Sequence, residues 1–206
     1  MPAMSSRPSY RRMDVDERRR QLLERGAELF TTHSYDELSM NKIAAEVGIS
    51  KALLYHYFPS KQAFFEETLS TWAEELRQRT EPDPDLSPVE QLTASLDAFL
   101  AMVEENAGAY RNLMQSATGV PEIRDLIEEV RRATAERILG GLYPDDPPPP
   151  KARIAVSGWL WFMDGACLNW IEHRDVEREE LRDLLLGVLM GALIAAGSPP
   201  DPAQVS

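Results

Sequence analysis

The feature that most constrains this chain is a glycine turn set between two short helical stripes. Residues 39–61 read SMNKIAAEVGISKALLYHYFPSK. Ser39 predicts a helix start, because a serine hydroxyl there accepts an otherwise orphaned backbone amide. Ile43, Ala44 and Val47 then share one helical face. Gly48 falls where a tight turn needs a left-handed residue, which glycine adopts without steric cost. Ile49 turns back toward the core and Ser50 caps again, while Leu54 and Phe58, four apart, give the second helix its buried face. Pro59 stops that helix, since a proline ring disfavours helix in the residue before it. Ser60 caps a third. Helix, glycine turn, helix is the helix-turn-helix arrangement, whose second helix lies in a DNA major groove.

Burying Leu54 and Phe58 leaves Lys51, Ala52, Leu53, Tyr55 and His56 facing outward. Together they offer a charge, apolar contacts for thymine methyls and aromatic rings with polar tips. A plain helical hairpin that only packs a core would show the same spacing, so the pattern alone leaves both readings open.

The run from Ser39 to Lys61, with its GIS turn and LYHYFPSK ending, resembles the TetR family of bacterial transcription regulators. The resemblance implies that Tyr55, Tyr57 and Lys61 hold phosphates and that Asn41 and Lys51 reach base edges. Ser39, Ser50, Ala52, Leu53 and His56 complete the expected DNA-binding set. Ala52 and Leu53 stand where smaller or polar residues are common in the family, which bears on the operator sequence and not on the fold. A homodimer pairing its last two helices across a two-fold axis is implied too, as is a ligand cavity inside the body.

Net charge is −12, which looks wrong for a DNA binder until it is divided along the chain. Through residue 61 there are ten Lys and Arg against eight Asp and Glu; beyond it there are 12 against 26. The local field governs docking, so a mildly basic head on an acidic body suits a DNA reader. The single cysteine, Cys167, excludes a disulfide framework within one chain and points to a reducing compartment, hence a cytoplasmic protein. No secretory signal is evident. The most apolar run, Ile154 to Ile171, is interrupted by Ser157, Asp164 and Asn169 and reads as a buried helix, with no membrane partner expected.

Along the rest of the chain every periodic segment is helical. Residues 1–13, with Arg7, Arg11 and Arg12, read as a flexible basic arm, either a passive tail or a minor-groove contact. Asp14 and Glu17 resemble a capping box opening a helix whose stripe is Leu22, Leu23, Ala27, Leu29 and Phe30. Arg18, Arg19 and Arg20 on its first turns are a solvated face or phosphate contacts. Residues 14–61 form the expected head. After it, Phe65, Leu69, Trp72 and Leu76 predict one continuous buried stripe, and this helix is the expected mechanical link from head to body. Residues 80–88 are a proline-rich break, and Ser87-Pro88-Val89-Glu90 is a capping box with proline at the first helical position. Helices are expected from there to about residue 105, over 110–117 and from Pro121 to about 138, with a loop over 140–150. Two apolar helices close the body, at about 151–174 and 176–196, and a flexible tail follows over 199–206. The expected fold is therefore all-α, about nine helices, with a three-helix head and an effector-binding and dimerisation body over 62–198.

Enzyme signatures are absent: there is no phosphate-cradling glycine loop, no paired zinc-ligand spacing and no nucleophile elbow. The three histidines, His33, His56 and His173, are scattered, so neither a metal nor a cofactor is expected. The cavity implied by the resemblance would be lined by Leu96, Phe99, Leu100 and Val103, by Tyr110, Leu113 and Met114, and by Trp159, Phe162 and Met163. Such residues also make plain core; as a set they suit a large apolar effector such as a lipid, an acyl thioester or a hydrophobic drug. Asp164 would cap an intersubunit contact or face a cationic ligand. Leu185 and Leu189 are the expected dimer contacts. The function implied is a ligand-responsive repressor of a palindromic double-stranded DNA operator. The alternative is a DNA-binding adaptor with a packed body, controlled by a protein partner.

Overall fold

The computed structural model describes residues 15–197, and among them are nine helices and no strand. They are α1 (Val15–Thr32), α2 (Met40–Glu46), α3 (Lys51–Tyr57), α4 (Lys61–Arg79) and α5 (Pro88–Glu105), then α6 (Ala107–Ser116), α7 (Pro121–Leu142), α8 (Pro150–His173) and α9 (Arg178–Ala195). The arm over 1–13, the Asp14 cap and the tail over 199–206 lie outside the described residues.

Local signals act as the sequence predicts. Ser39, Ser50 and Ser60 accept the amides of Lys42, Leu53 and Ala63, so α2, α3 and α4 each start on a serine cap. Gly48 takes φ +74, and the Ile49 amide then closes onto the Ala44 carbonyl at 2.9 Å. Both arms of the Ser87–Glu90 capping box are present at the start of α5. Helix α7 runs through Gly140 and Gly141 to Leu142, past the point where a loop is expected. Its glycines face open space, so nothing packs there to unwind the last turn.

Two cores form. The first gathers Leu22, Phe30, Ile43, Leu54, Phe58 and Phe64, and it continues into Ile123 and Ile127 of α7. The second joins Leu96, Leu100, Val103, Val156 and Trp159 to Leu185 and Leu189. Helix α4 does not bury one continuous stripe. Phe64, Phe65, Thr68 and Leu69 are buried, whereas Trp72 and Leu76 are only half-buried, because the second half of α4 leaves the first core and becomes a cavity wall.

Helix α6 packs directly on α1. A Cβ at Gly108 would lie 2.4 Å from the Thr31 carbonyl oxygen, so the two backbones meet where only glycine fits. Asn112 Nδ2 donates to the Phe30 carbonyl at 2.9 Å in the same seam. Helix α4 is therefore not the sole link between the first core and the rest.

Leu185 and Leu189 require a correction. Both are 0% exposed inside the single chain, turned toward α8 and α5. The outer face of the last two helices carries Ile154, Trp161, Phe162, Leu184 and Ile194 instead, all exposed. Gly158, Gly165, Gly187 and Gly191 lie between them, with nothing near any of the four that a Cβ would meet.

Candidate nucleic-acid interface and effector cavity

The reader face is carried by α2 and α3. Asn41, Lys51, Ala52, Tyr55 and His56 are exposed, while Leu53 and Tyr57 are half-buried. Ser39 and Ser50 are exposed as well, with their hydroxyls engaged as caps. Lys51 Nζ lies 5.7 Å from the Tyr55 ring centroid, and His56 stacks edge-on against Tyr57 at 5.3 Å. Lys61 Nζ donates to the Tyr35 carbonyl at 3.1 Å and sits 3.9 Å from the Tyr35 ring centroid. An ammonium has three donors, so this bond fixes the lysine and still leaves donors for a phosphate.

Arg19 keeps a side chain 40% exposed, but its donors are engaged within the fold and not free for a phosphate. Its Nε and Nη2 donate to the two Glu67 carboxylate oxygens at 2.9 and 2.6 Å, and Nη1 donates to the Tyr57 carbonyl at 3.2 Å. The fork ties α1 to α4 and to the end of α3, holding the reader helix against its support.

Behind the reader, α4 to α8 line a partly open cavity of about 780 Å³. Its wall is mostly apolar. Of the residues expected there, Leu96, Phe99, Tyr110, Leu113, Met114, Trp159 and Met163 line it. Leu100 and Val103 are fully buried in the core beside Leu185, and Phe162 faces outward, 42% exposed. A helix turns about 100° per residue, so neighbours such as Phe162 and Met163 must face different sides. Periodicity assigns a face to the core; it does not say which core residues border a void. The wall also includes Trp72, Leu76, Leu126 and Val130.

Asp164 is satisfied within its own chain, so it is neither left to cap an intersubunit contact nor free for a cation. Tyr110 Oη donates to it at 2.8 Å, and Arg131 donates through Nε at 2.7 Å and Nη2 at 2.6 Å. Burial first, and then the Asp164 charge, raise the Tyr110 hydroxyl well above the usual tyrosine range. The same two causes push the Cys167 thiol up to about 12, which makes it a packing residue and not a nucleophile. The Arg131 guanidinium also covers the Trp161 ring at 3.8 Å, linking the cavity wall to the exposed outer face. Among the described residues no three His, Cys, Asp or Glu side chains are grouped to hold a metal ion.

Comparison with known proteins gives a consistent picture. The family model of the tetR bacterial regulatory proteins matches residues 22–68, and that of a tetracyclin repressor-like C-terminal domain matches residues 88–192. The chain is similar to the HTH-type transcriptional activator FasR of Mycolicibacterium smegmatis, at 31% identity over 82% of this chain and 79% of FasR. It is similar also to the HTH-type transcriptional regulator BetI of Agrobacterium fabrum, at 28% identity over 72% of this chain and 74% of BetI. Among solved structures, a tetR-family transcriptional regulator from Streptomyces coelicolor aligns with a TM-score of 0.80 at 29% identity, covering 90% of this chain and 84% of that one.

Proposed function

The chain belongs to the TetR family of bacterial regulatory proteins and is a DNA-binding transcriptional regulator, and from that premise we propose that it acts as a homodimeric repressor released from a palindromic operator by a largely apolar effector. The observation that carries this reading is the 780 Å³ apolar cavity, whose walls α4 and α6 are the same helices that pack on the head. We assign residues 14–61 to that head and 62–198 to the effector and dimer body. A ligand that fits one packing of α4 and α6 better than the other shifts the population between them. Two heads read two half-sites only at a spacing that matches successive major grooves, so a small shift in each releases both. The hollow body favours an effector over a protein-controlled adaptor, for which a packed body is expected.

Dimerisation is supported by the outer face of α8 and α9. Ile154, Trp161 and Phe162 on one helix and Leu184 and Ile194 on the other form an unpartnered apolar strip, with glycines that permit close approach. A reader that contacts two half-sites needs such a pairing. The regulator works in the cytoplasm, where its DNA lies; among the described residues no helix is long and apolar enough to cross a membrane.

Activation is the second reading, favoured by the likeness to an activator. The test begins with selecting bound fragments from genomic DNA, with and without a cell lipid extract, and then transcribing the recovered promoter in vitro. Repression relieved by the extract is expected. Increased transcription on adding the protein would establish activation instead, and binding indifferent to the extract would favour the adaptor.

A further inference from the structure

The charges on the cavity wall balance in number but not in pairing, and the side chain left without a partner indicates what kind of molecule belongs inside. Six ionisable side chains of opposite sign line it: Arg77, Arg131 and Arg137 against Glu74, Glu129 and Asp164. Arg131 and Asp164 neutralise each other at 2.6 Å, with Tyr110 completing the carboxylate's shell. Glu74 holds Arg77 through two hydrogen bonds, at 2.7 and 2.8 Å. Glu129 is paired with Arg132, which lies off the wall and also binds Glu136 at 2.9 Å. Arg137 remains. Among the described residues it forms no ion pair, and its side chain makes one long hydrogen bond, from Nη2 to Thr80 Oγ1 at 3.3 Å.

We propose that the cavity takes an amphiphile with a long apolar tail and a single anionic head, a carboxylate or a phosphate, and that Arg137 binds the head. The proposal rests on the reading of the hollow body as an effector site. A guanidinium presents a planar fork of donors that matches either anion bidentately. Half-buried and uncompensated, Arg137 loses hydration that such a head would replace. Its surroundings favour a negative guest: burial, and then the Arg77 cation, lower its pKa from the ordinary arginine value, with Glu81 only partly opposing. The other walls suit the tail. Arg131 lies six residues back along α7, about 9 Å at 1.5 Å per residue, and its charge is already spent on Asp164. From there Val130, Ile127, Leu126, Met114 and Leu113 continue the lining without another free charge. A cationic guest would meet Arg137 and Arg77 and find Asp164 occupied. A neutral one would leave Arg137 unpaired.

The test uses the full chain and four probes with the same tail: dodecanoate, dodecyl phosphate, dodecanol and dodecyltrimethylammonium, each below its micelle threshold. Binding is read from tryptophan fluorescence, since Trp72 and Trp159 line the cavity. At least one anion should bind about tenfold or more tighter than dodecanol, the size of one charge-assisted hydrogen bond. The tighter of the two anions identifies the head as carboxylate or phosphate. Arg137→Gln should bring anion and alcohol within about twofold of each other by removing that bond, with dodecanol binding as before and so reporting a folded cavity. Arg137→Lys should keep the preference in reduced form, and it decides the matter with the wild type if the glutamine variant does not fold. Equal binding of alcohol and anions to the wild type, a preference for the cation, or an anion preference that survives Arg137→Gln overturns the assignment and leaves the cavity reading standing. If none of the four binds, the cavity is not an effector site and both readings fail.

Discussion

Lys51 and Tyr55 are close enough to touch, yet the DNA contacts expected of them differ in kind. Lys51 is exposed on the first turn of α3, where a recognition helix meets base edges, and Tyr55 stands exposed one turn on. Base contacts discriminate between sequences, while phosphate contacts weaken or strengthen all of them together. Lys51→Ala should therefore cost about 1–3 kcal/mol on the operator and little on random DNA. Tyr55→Phe should lower affinity for both by a similar factor. Fluorescence anisotropy on the two DNAs separates these outcomes, and an equal loss for Lys51→Ala would remove that residue from base recognition. At this scale the sequence is highly legible: the three serine caps and the positive φ of Gly48 follow from side-chain chemistry within four residues. Arg19 is the counterexample. Its partners are 38 and 48 residues away, and nothing in a run of three arginines marks the middle one as a clamp.

Elements are legible as helices and less so in how they are turned. The apolar period of α9 is plain, but the stripe is wide enough to hold two faces. One bears Leu185 and Leu189, sealed in the protomer; the other bears Leu184 and Ile194, 55% and 62% exposed. Which face meets its own core is decided by α5 and α8, not by the helix itself. Leu184→Glu should thus give a folded monomer in sedimentation, since the exposed carboxylate stays hydrated in the isolated protomer. Leu185→Glu should lower the melting temperature steeply by placing an unpaired charge in the core. The reverse pattern would put the dimer contact on the other face. The seam between α1 and α6 is illegible for a different reason: a close backbone approach removes a side chain and leaves only a glycine in a segment that already reads as a break. Gly108→Ala would force a Cβ against the Thr31 carbonyl, which as backbone has little room to yield. A loss of about 1–3 kcal/mol in thermal unfolding is expected, together with a weaker effector response at full operator occupancy. An unchanged melt would mean that α6 stands off α1 in solution, and that α4 alone couples the cavity to the head.

Charge becomes informative only for the molecule as a whole. The chain is acidic, but the excess lies beyond residue 61, where acidic side chains outnumber basic ones by 14, so a docked head meets DNA while the body stays behind it. Neutralised phosphates release counterions, and log affinity then falls linearly with log salt at about −0.9 per phosphate. If about four phosphates per head are neutralised by cations such as Lys61, a dimer should show a slope of roughly −7, while the Tyr55 and Tyr57 hydroxyls add affinity without adding to the slope. The same experiment on Leu184→Glu tests the assembly independently of any sizing method. A monomer holding one half-site should give roughly half that slope, about −3.5, at much lower affinity. If the variant keeps the full slope, the two heads are joined through something other than the outer face of α8 and α9. A slope near zero in the wild type would mean that Lys61 and the other cations of the head do not neutralise phosphates, whatever the helix-turn-helix reads.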